Sequence, residues 1–206
     1  MKEDTNTMTE FWEEAFRDKQ TMWGFEPSQS AILTKDFFLE KDIKKILIPG
    51  IGYGRNAQIF IENGMEVTGI EISKTAIALA RKHYGTDMVI HHGSVTDMPF
   101  YNNQYTGIFC YALIHLLDRD ERAKLIDDCY NQLAANGYMV FTAITKRART
   151  YGQGKQISKD RFELFGGVKM YFYDNQTVEK EFGNYGLVEV TEVNENYPFY
   201  LIKCRK

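Results

Sequence analysis

The sequence contains little that would indicate an oxidising or membranous environment. Its 206 residues include only three cysteines, Cys110, Cys129 and Cys204, and no CxxC pair. An odd number of separated cysteines predicts neither a disulfide framework nor a thiolate metal site. No stretch approaches the roughly 20 apolar residues of a membrane-spanning helix, and the charged residues 1–17 lack the apolar centre of a signal peptide. We therefore predict a cytoplasmic protein with no membrane partner and no metal.

An excess of basic charge is also absent. The 25 Lys and Arg residues face 28 Asp and Glu residues, for a formal net charge of −3. Because domains that bind nucleic acid normally present a basic patch, we predict no nucleic-acid partner. The short basic stretch from Lys146 to Arg149 is either a solvated loop or a contact to an anion. The sequence does not indicate the oligomeric state.

From residue 45 onward, short apolar stretches alternate with helical patterns. The predicted strands are Lys45–Pro49, Glu66–Glu71, Met88–His91, Tyr105–Tyr111 and Tyr138–Ile144, and the predicted helices are Arg55–Asn63, Thr75–His83 and Arg119–Leu133. This alternation is typical of βαβ units in a parallel sheet. Near the C-terminus, Leu187–Val193 and Phe199–Cys204 leave no room for a helix between them and predict an antiparallel hairpin. The predicted fold is therefore α/β, a Rossmann-like doubly wound, mostly parallel sheet with a C-terminal antiparallel hairpin.

A glycine-rich turn follows the first predicted strand, where residues 49–56 read Pro-Gly-Ile-Gly-Tyr-Gly-Arg-Asn. Gly50 and Gly52 let the backbone turn sharply and approach a ligand closely. The start of the following predicted helix would offer free N–H groups to an anion. Because such a turn can also serve chain geometry alone, its meaning depends on the residues that follow.

An acidic residue ends the second predicted strand. Glu71 stands 21 residues after Gly50, where a carboxylate can accept hydrogen bonds from both hydroxyls of a ribose. This feature indicates a nucleoside without choosing among nucleoside cofactors. Loops that bind dinucleotides require a small residue at the third glycine position, and this sequence has Arg55 there. The loop therefore favours S-adenosylmethionine over NAD.

Together these motifs resemble those of the class I S-adenosylmethionine-dependent methyltransferases, over most of the chain from about Trp12 onward. The glycine loop, Trp12, Trp23 and the Glu26-Pro27-Ser28 element are similar to those of the tellurite, thiopurine and thiol methyltransferases. The resemblance implies S-adenosyl-L-methionine as the cofactor. The residues that it implies for cofactor binding are Trp23, Gly50, Gly52, Gly54, Arg55, Asn56, Glu71, Ile72, Ser94, Val95 and Cys110.

The resemblance also implies a place for each part of the cofactor. The glycine loop lies against the methionine part, and Ile72 packs on the adenine, whose edge is reached from residues 93–95. Cys110, at the end of the fourth strand, passes beneath the sulfonium. Many members of the family carry an acid where this sequence has Ile48. Here the methionine ammonium must therefore bind backbone carbonyls or another acid.

Few side chains need to take part in the chemistry. Methyl transfer from a sulfonium displaces an activated group, so the protein has mainly to align the donor and the acceptor and to exclude water. His115 is the candidate general base, or else a residue that packs its turn. Tyr111 lines the acceptor pocket, or else simply ends a strand. Trp12 and Trp23 stack on the substrate or contact the sulfonium by cation–π interaction, or one of them belongs to the core.

We predict one domain over residues 1–206, divided into four parts. These are an N-terminal helical lid (1–40), a cofactor-binding core (45–145), a substrate loop (146–173), and a C-terminal helix and hairpin (174–206). Residues between Arg147 and Phe172 are rich in Gly, Lys and Gln without a clean period, and so long a connection is usually functional. We expect this stretch to be flexible and to form the acceptor lid with the N-terminal residues.

The methyl acceptor is predicted to be a small molecule. The end of the fourth strand lacks the Asn/Asp-Pro-Pro motif of DNA amine methyltransferases, and no cysteine follows a proline, as cytosine-C5 methyltransferases require. Two alternatives stay open: a non-catalytic S-adenosylmethionine-binding protein and an NAD-dependent oxidoreductase.

Overall fold

The computed structural model describes residues 5–86, 88–98, 104–164 and 166–206. Its strands are β1 (Lys45–Pro49), β2 (Glu66–Glu71), β3 (Val89–His92), β4 (Tyr105–Cys110), β5 (Leu133–Ile144), β6 (Lys155–Ser158), β7 (Arg161–Glu163), β8 (Lys169–Tyr171), β9 (Leu187–Asn194) and β10 (Pro198–Arg205). Its α-helices are α1 (Thr5–Lys19), α2 (Gln29–Glu40), α3 (Gln58–Ile61), α4 (Lys74–Tyr84), α5 (Arg119–Gln132) and α6 (Asn175–Phe182). Within these ranges no helix is both long and apolar enough to cross a bilayer.

Seven strands form one sheet in the order β3-β2-β1-β4-β5-β10-β9. Strands β1 to β5 pair in parallel, whereas β10 runs antiparallel to both β5 and β9. The predicted α/β fold with a C-terminal antiparallel hairpin is therefore confirmed. The strand order reverses between β1 and β4, and open α/β sheets bind ligands at the carboxyl ends of the strands beside such a switch point.

The central strands are buried on both faces. In β1, Leu47 belongs to the hydrophobic core on one face of the sheet, while Ile46 and Ile48 belong to the core on the other. Successive strand residues point to opposite faces, so a strand covered by helices on both sides must be apolar throughout. This explains why the short stretch Lys45–Pro49 has no alternating polar residues.

Side-chain caps fix where several helices begin. Ser28 caps α2, since its side chain accepts a hydrogen bond from the Ala31 N–H. Ser73 caps α4 in the same way. Asp118 and Glu121 form a reciprocal capping box at the start of α5, which satisfies two of the N–H groups that a helix leaves unpaired.

Two predicted boundaries were wrong. The helix expected over Arg55–Asn63 is reduced to α3, because Gly54, at φ +86°, and its neighbours form turns before it. The helix predicted over Arg119–Leu133 ends one residue earlier, at Gln132, and β5 begins at Leu133 instead of at the predicted Tyr138. The early part of β5 is held by the chain terminus: Asn136 N–H donates to the Lys206 carbonyl, and Lys206 N–H donates to the Gly137 carbonyl.

The expectation of an irregular, flexible stretch from Arg147 to Phe172 was wrong in one respect. Strands β6, β7 and β8 form a separate antiparallel sheet. Each has three or four residues, which is too short to show a period. Ion pairs join the beginning, the middle and the end of this stretch. Lys146 Nζ, which precedes β6, lies 2.8 Å from Asp160 Oδ2 between β6 and β7, and 2.6 Å from Asp174 Oδ2 after β8.

The contact between Asp174 and Lys146 makes the stability of the folded protein depend on pH. The hydrogen bond to Lys146 lowers the pKa of Asp174 to about 2, and the Asp174 side chain also accepts the Thr177 N–H at the start of α6. Because the pKa is lower in the folded state, the contribution to stability is complete above about pH 4, the ordinary range for Asp, and is lost as the pH falls towards 2.

The substitution Asp174→Asn keeps a capping oxygen but removes the charge. We expect its free energy of unfolding to fall less than that of the parent between about pH 4 and pH 2, as measured by thermal unfolding at a series of pH values. Asp174→Ala should in addition lose about 1 kcal/mol at neutral pH, because the cap is lost. Parallel acid curves for the parent and Asp174→Asn would contradict the assignment.

Candidate functional site

A cavity of about 370 Å³ opens at the carboxyl ends of β1, β2 and β4. One side is formed by the glycine loop and the end of β2, and the other by residues after β4, by β8 and by the β9–β10 turn. The predicted site residues that line it are Trp23, Gly50, Gly52, Arg55, Asn56, Glu71, Ile72, Ser94, Val95, Tyr111 and His115. Residues that are separated by up to 92 positions in the sequence thus meet at the switch point of the sheet.

The glycine loop is held in a form that only glycine adopts without strain. Gly50 and Gly52 have φ values of +66° and +59°, the left-handed region that disfavours residues with a Cβ. The N–H groups of Gly50 and Ile51 donate to the Ile70 carbonyl. A Cβ at Gly50 would lie 3.0 Å from Leu113 Cδ2, so a side chain here would crowd the residues after β4. The loop backbone therefore forms a wall of the cavity.

Glu71 is the anchored acid of the cavity. Its side chain is 5% exposed; Oε2 accepts the Gly52 N–H at 2.8 Å, and Oε1 accepts the Ser73 N–H at 2.9 Å. Burial raises the pKa of the carboxyl group, and these backbone hydrogen bonds act in the opposite direction. Since a carboxylate oxygen can accept more than one hydrogen bond, Glu71 keeps acceptor capacity for a pair of hydroxyl groups.

Two predicted cofactor residues do not line the cavity. A Cβ at Gly54 would meet Met88 Cε at 3.1 Å and Tyr84 Cδ2 at 3.2 Å, so this glycine allows the loop to pack against its neighbours. The Cys110 side chain is fully buried in the core, and burial raises the pKa of its thiol well above the ordinary value. Both residues therefore support the wall of the cavity through packing and are not part of its surface.

The N-terminal residues cover the glycine loop. The Trp23 ring stacks on Tyr53 at 6.1 Å with a 7° angle between the planes, and Tyr53 Oη donates to the Gly24 carbonyl at 2.6 Å. Arg55 Nη1 donates to the Trp23 carbonyl at 2.9 Å. Trp23 is nevertheless 42% exposed, which places it at the rim of the cavity and not in the core.

Helix α1 is fastened to the start of α4 by hydrogen bonds of Glu13. The Glu13 carboxylate accepts hydrogen bonds from Ser73 Oγ at 2.7 Å and from Thr75 Oγ1 at 2.5 Å. These bonds lower the pKa of Glu13 against the opposing effect of desolvation. The contact tethers α1 to the start of α4 and brings Trp12 and Phe16 to the cavity lining.

His115 lies in the short turn Ile114–Leu116 after β4 and is 3% exposed. Its Nδ1 has no hydrogen-bond partner among the described residues, and its ring packs on Phe199 at 5.8 Å. Burial lowers the pKa of His115 to about 3. The ring is therefore neutral near pH 7, where it is a weak proton acceptor but can orient a neighbouring group.

Tyr111 belongs to a polar network that joins three elements. Its hydroxyl donates to Glu195 Oε2 at 2.5 Å, while Ser30 N–H and Oγ donate to Glu195 Oε1 at 2.6 and 2.5 Å. Burial, followed by the neighbouring Glu195, raises the pKa of Tyr111. The β9–β10 turn is thereby linked both to α2 and to the end of β4.

Several cavity residues were not predicted as site residues. They are Phe16, Ile48, Ile51, Tyr53, Thr96, Ala112, Leu113, Leu116, Leu117, Glu121, Val168, Met170, Asn196, Tyr197 and Phe199, whereas Trp12, which also lines the cavity, was a candidate. The aromatic residues of the glycine loop and of α1 carried a local signal in their spacing. The residues from β8 and the β9–β10 turn carried none, because only the folded chain brings these segments beside the end of β4.

The fold is shared with S-adenosylmethionine-dependent methyltransferases of known structure. Three solved structures share the fold. The 1,6-didemethyltoxoflavin-N1-methyltransferase of Burkholderia thailandensis, with bound 1,6-didemethyltoxoflavin and S-adenosylhomocysteine, has 13% identity, a TM-score of 0.78 and coverage of 98% of this chain and 88% of its own. The magnesium protoporphyrin IX methyltransferase of Synechocystis PCC 6803, with bound S-adenosylmethionine, has 11% identity and a TM-score of 0.74. The match covers 100% of this chain and 98% of that protein. A methyltransferase of Streptomyces caelestis has 15% identity and a TM-score of 0.68, and the match covers 87% of this chain and 90% of that protein.

The sequence comparison is more specific than the structural likeness. Residues 47–141 match the family model described as a methyltransferase domain. No curated protein sequence matches the chain. The matched segment, residues 47–141, is therefore a methyltransferase domain. The comparisons give no support to the dehydrogenase or to the non-catalytic alternative. The narrower resemblance to tellurite, thiopurine and thiol methyltransferases stays a prediction.

Proposed function

We propose that this methyltransferase acts on a free small molecule that binds inside the cavity, between the turn after β4 and β8. The observation that carries the proposal is a cavity that has the glycine loop and Glu71 on one side and an apolar wall on the other. Its volume of about 370 Å³ lies at the lower end of the range of about 300–1,000 Å³ for ligand pockets. A cavity of this size favours a small acceptor beside the cofactor.

Different residues of the cavity would bind different parts of the cofactor, and others would exclude water. We assign Glu71 to the ribose hydroxyls, the backbone of the glycine loop to the methionine part, and Ile72 with residues 94–95 to the adenine. S-adenosylmethionine, when bound, supplies a methyl group that is already activated for displacement. Trp23 and the other N-terminal residues would exclude water from that end of the cavity.

His115 and Tyr111 are proposed as residues that orient the acceptor. A neutral, buried imidazole is a weak base near pH 7, and the Tyr111 hydroxyl is already bound to Glu195. Alignment of the acceptor atom therefore accounts for most of the rate enhancement that the protein can supply. Acid–base catalysis by His115 is not required for acceptors that lose their proton to solvent.

Two of the structural neighbours act on small molecules, according to their names: one on 1,6-didemethyltoxoflavin and one on magnesium protoporphyrin IX. These acceptors differ in size and chemistry, so they support the class of acceptor without identifying it. We further propose that the sheet β6–β8 serves as the acceptor-side wall and that residues 5–40 serve as the lid.

The cofactor assignment predicts a selective thermal shift. S-adenosylhomocysteine at 100 times its dissociation constant should stabilise the folded protein by about 2.7 kcal/mol and raise its melting temperature, because the ligand binds only the folded state. NAD and NADP at the same concentration should leave the melting temperature unchanged. A panel of small thiols, amines, phenols and carboxylates, followed by production of S-adenosylhomocysteine, then tests the acceptor class. A larger shift with NAD would contradict the cofactor assignment.

A further inference from the structure

The acceptor side of the cavity is built around an aromatic group. Phe199 lies 6.0 Å from the ring of Tyr111, 5.8 Å from that of His115 and 6.4 Å from that of Tyr197, measured between centroids. Met170 of β8 packs against the same cluster. Aromatic rings and a flexible thioether make favourable contacts with flat π-systems. The wall therefore suits a flat, aromatic ligand.

The charges of the cavity are already engaged. The charged side chains among the described lining residues are Arg55, Glu71 and Glu121. Arg55 donates to the Trp23 carbonyl, Glu71 accepts two backbone N–H groups, and Glu121 Oε2 accepts the Asp118 N–H at 2.9 Å. None of them is a cation placed beside the Phe199 cluster to meet a charged acceptor.

The remaining polar side chains on the acceptor side are neutral. They include the imidazole of His115, the phenols of Tyr111 and Tyr197, and the amide of Asn196. An ionised group without a partner is expensive to bury, whereas a neutral N–H or O–H group can be oriented by one hydrogen bond. The chemistry of this wall therefore distinguishes uncharged acceptors from anionic ones.

We propose that the methyl acceptor is an uncharged, planar aromatic molecule that lies against Phe199 and carries an N–H or O–H group as the methylation site. In the reaction a bond forms from the acceptor nitrogen or oxygen to the methyl carbon, the carbon–sulfur bond breaks, and the proton of the acceptor leaves to solvent. This inference rests on the proposed function, since it specifies the acceptor of the same site.

Matched ligands test the two parts of the inference separately. Benzimidazole-5-carboxamide and 6-hydroxy-2-naphthamide are compared with benzimidazole-5-carboxylate and 6-hydroxy-2-naphthoate, which are of similar size but carry a charge, and 2-naphthol is compared with decahydro-2-naphthol, which is not planar. Binding is measured by calorimetry on the protein saturated with S-adenosylhomocysteine, and turnover is measured with S-adenosylmethionine. We expect the neutral member of each charged pair to bind at least about 10-fold more tightly, and 2-naphthol to bind more tightly than its saturated counterpart.

A charge introduced into the wall should change the selectivity. Val168 is half-buried and lines the cavity just before β8, and its backbone carbonyl accepts the Leu164 N–H whatever the side chain. Val168→Lys should narrow or reverse the preference for the neutral ligand, whereas Val168→Gln, of similar length but without charge, should retain it. Thermal unfolding of both variants checks that the fold is kept.

The possible results separate this inference from the proposed function. If S-adenosylhomocysteine fails to bind, the proposed function itself fails. If it binds and carboxylated ligands bind as well as or better than neutral ones, only the inference about the acceptor is overturned. In that case Arg149→Ala would show whether the adjoining recess lined by Arg147 and Arg149 holds the anion. Binding of no aromatic ligand of either charge to the S-adenosylhomocysteine complex would also overturn the inference.

Discussion

Replacing Glu71 by alanine is expected to weaken S-adenosylhomocysteine binding by roughly 10- to 150-fold, as measured by calorimetric titration. The factor corresponds to about 1.5–3 kcal/mol for hydrogen bonds to a charged group. The carboxylate lies at the end of β2 and is fixed in the cavity wall by the N–H groups of Gly52 and Ser73. A ribose would therefore meet an acceptor whose orientation has already been set by the fold.

The same contacts give Glu71 a second role that the sequence did not suggest. In the alanine variant the N–H groups of Gly52 and Ser73 lose their acceptor, and each buried N–H left unpaired costs about 1–3 kcal/mol. The melting temperature of the ligand-free protein should consequently fall together with the affinity. Glu71→Gln keeps one carbonyl oxygen for these donors, so it should lose less stability than Glu71→Ala.

The control for this prediction is Asp97, an exposed acid close to the end of β3. The hydrogen bond that Asp97 makes is from its backbone N–H to the Ser94 carbonyl, so Asp97→Ala leaves that bond intact and should change the affinity only slightly. A Glu71→Ala protein that is folded and binds S-adenosylhomocysteine like the parent would show that Glu71 serves only to fix the loop.

The largest loss of stability is expected from Glu181→Ala, at about 3–5 kcal/mol in the free energy of unfolding. Arg122 and Glu181 form an ion pair at 2.9 Å, with side chains that are 4% and 18% exposed. Glu181 also accepts the hydroxyl of Tyr173 at 2.8 Å, and the Arg122 guanidinium lies 3.9 Å from the centroid of the Tyr171 ring. Among the residues that the structure describes, the Leu117 carbonyl would be the one hydrogen-bond acceptor left to this buried cation once Glu181 is removed.

An exposed ion pair on the same helix provides the control. Lys124 and Asp128 form an i,i+4 pair at 2.6 Å, and their side chains are 51% and 24% exposed. Solvent-exposed pairs of this kind contribute about 0.3–0.5 kcal/mol, so Asp128→Ala should have a small effect. Urea unfolding of both variants gives the comparison. Equal effects of the two substitutions would mean that the buried pair of Arg122 and Glu181, which joins α5 to α6, contributes no more to stability than an exposed ion pair.

Much of the cavity side formed by the glycine loop and the end of β2 could be predicted, because the sequence features that indicate it involve residues close together in the chain. Gly50 and Gly52 need positive φ values wherever the strand turns back, and Glu71 follows an apolar strand whose end was placed correctly. The parallel arrangement then brings both elements to one edge of the sheet. Gly54 shows the limit of such reasoning: its place in the motif suggested a ligand, whereas packing against Tyr84 and Met88 explains it.

The acceptor side could not be predicted in the same way. Tyr111 and Glu195 are 84 residues apart and their hydrogen bond depends on where the β9–β10 turn falls. Strands β6 to β8 are too short for periodicity, so their sheet and the position of Met170 were hidden in a stretch without a pattern. His115 was singled out by its place after β4, but its burial against Phe199, and hence its neutral state, depended on a strand close to the chain terminus.

The sequence by itself determined the order of strands and helices from β1 to β5, the C-terminal hairpin, the glycine turn and the acid that ends β2. Each of these depends on neighbouring residues, through apolar periodicity, on the conformational freedom of glycine, or on the spacing within one βαβ unit. The tertiary structure alone decided the wall opposite the glycine loop and the rings around Phe199. That wall is assembled from segments distant in the chain, because burial and packing, not local propensity, determine which side chains meet there.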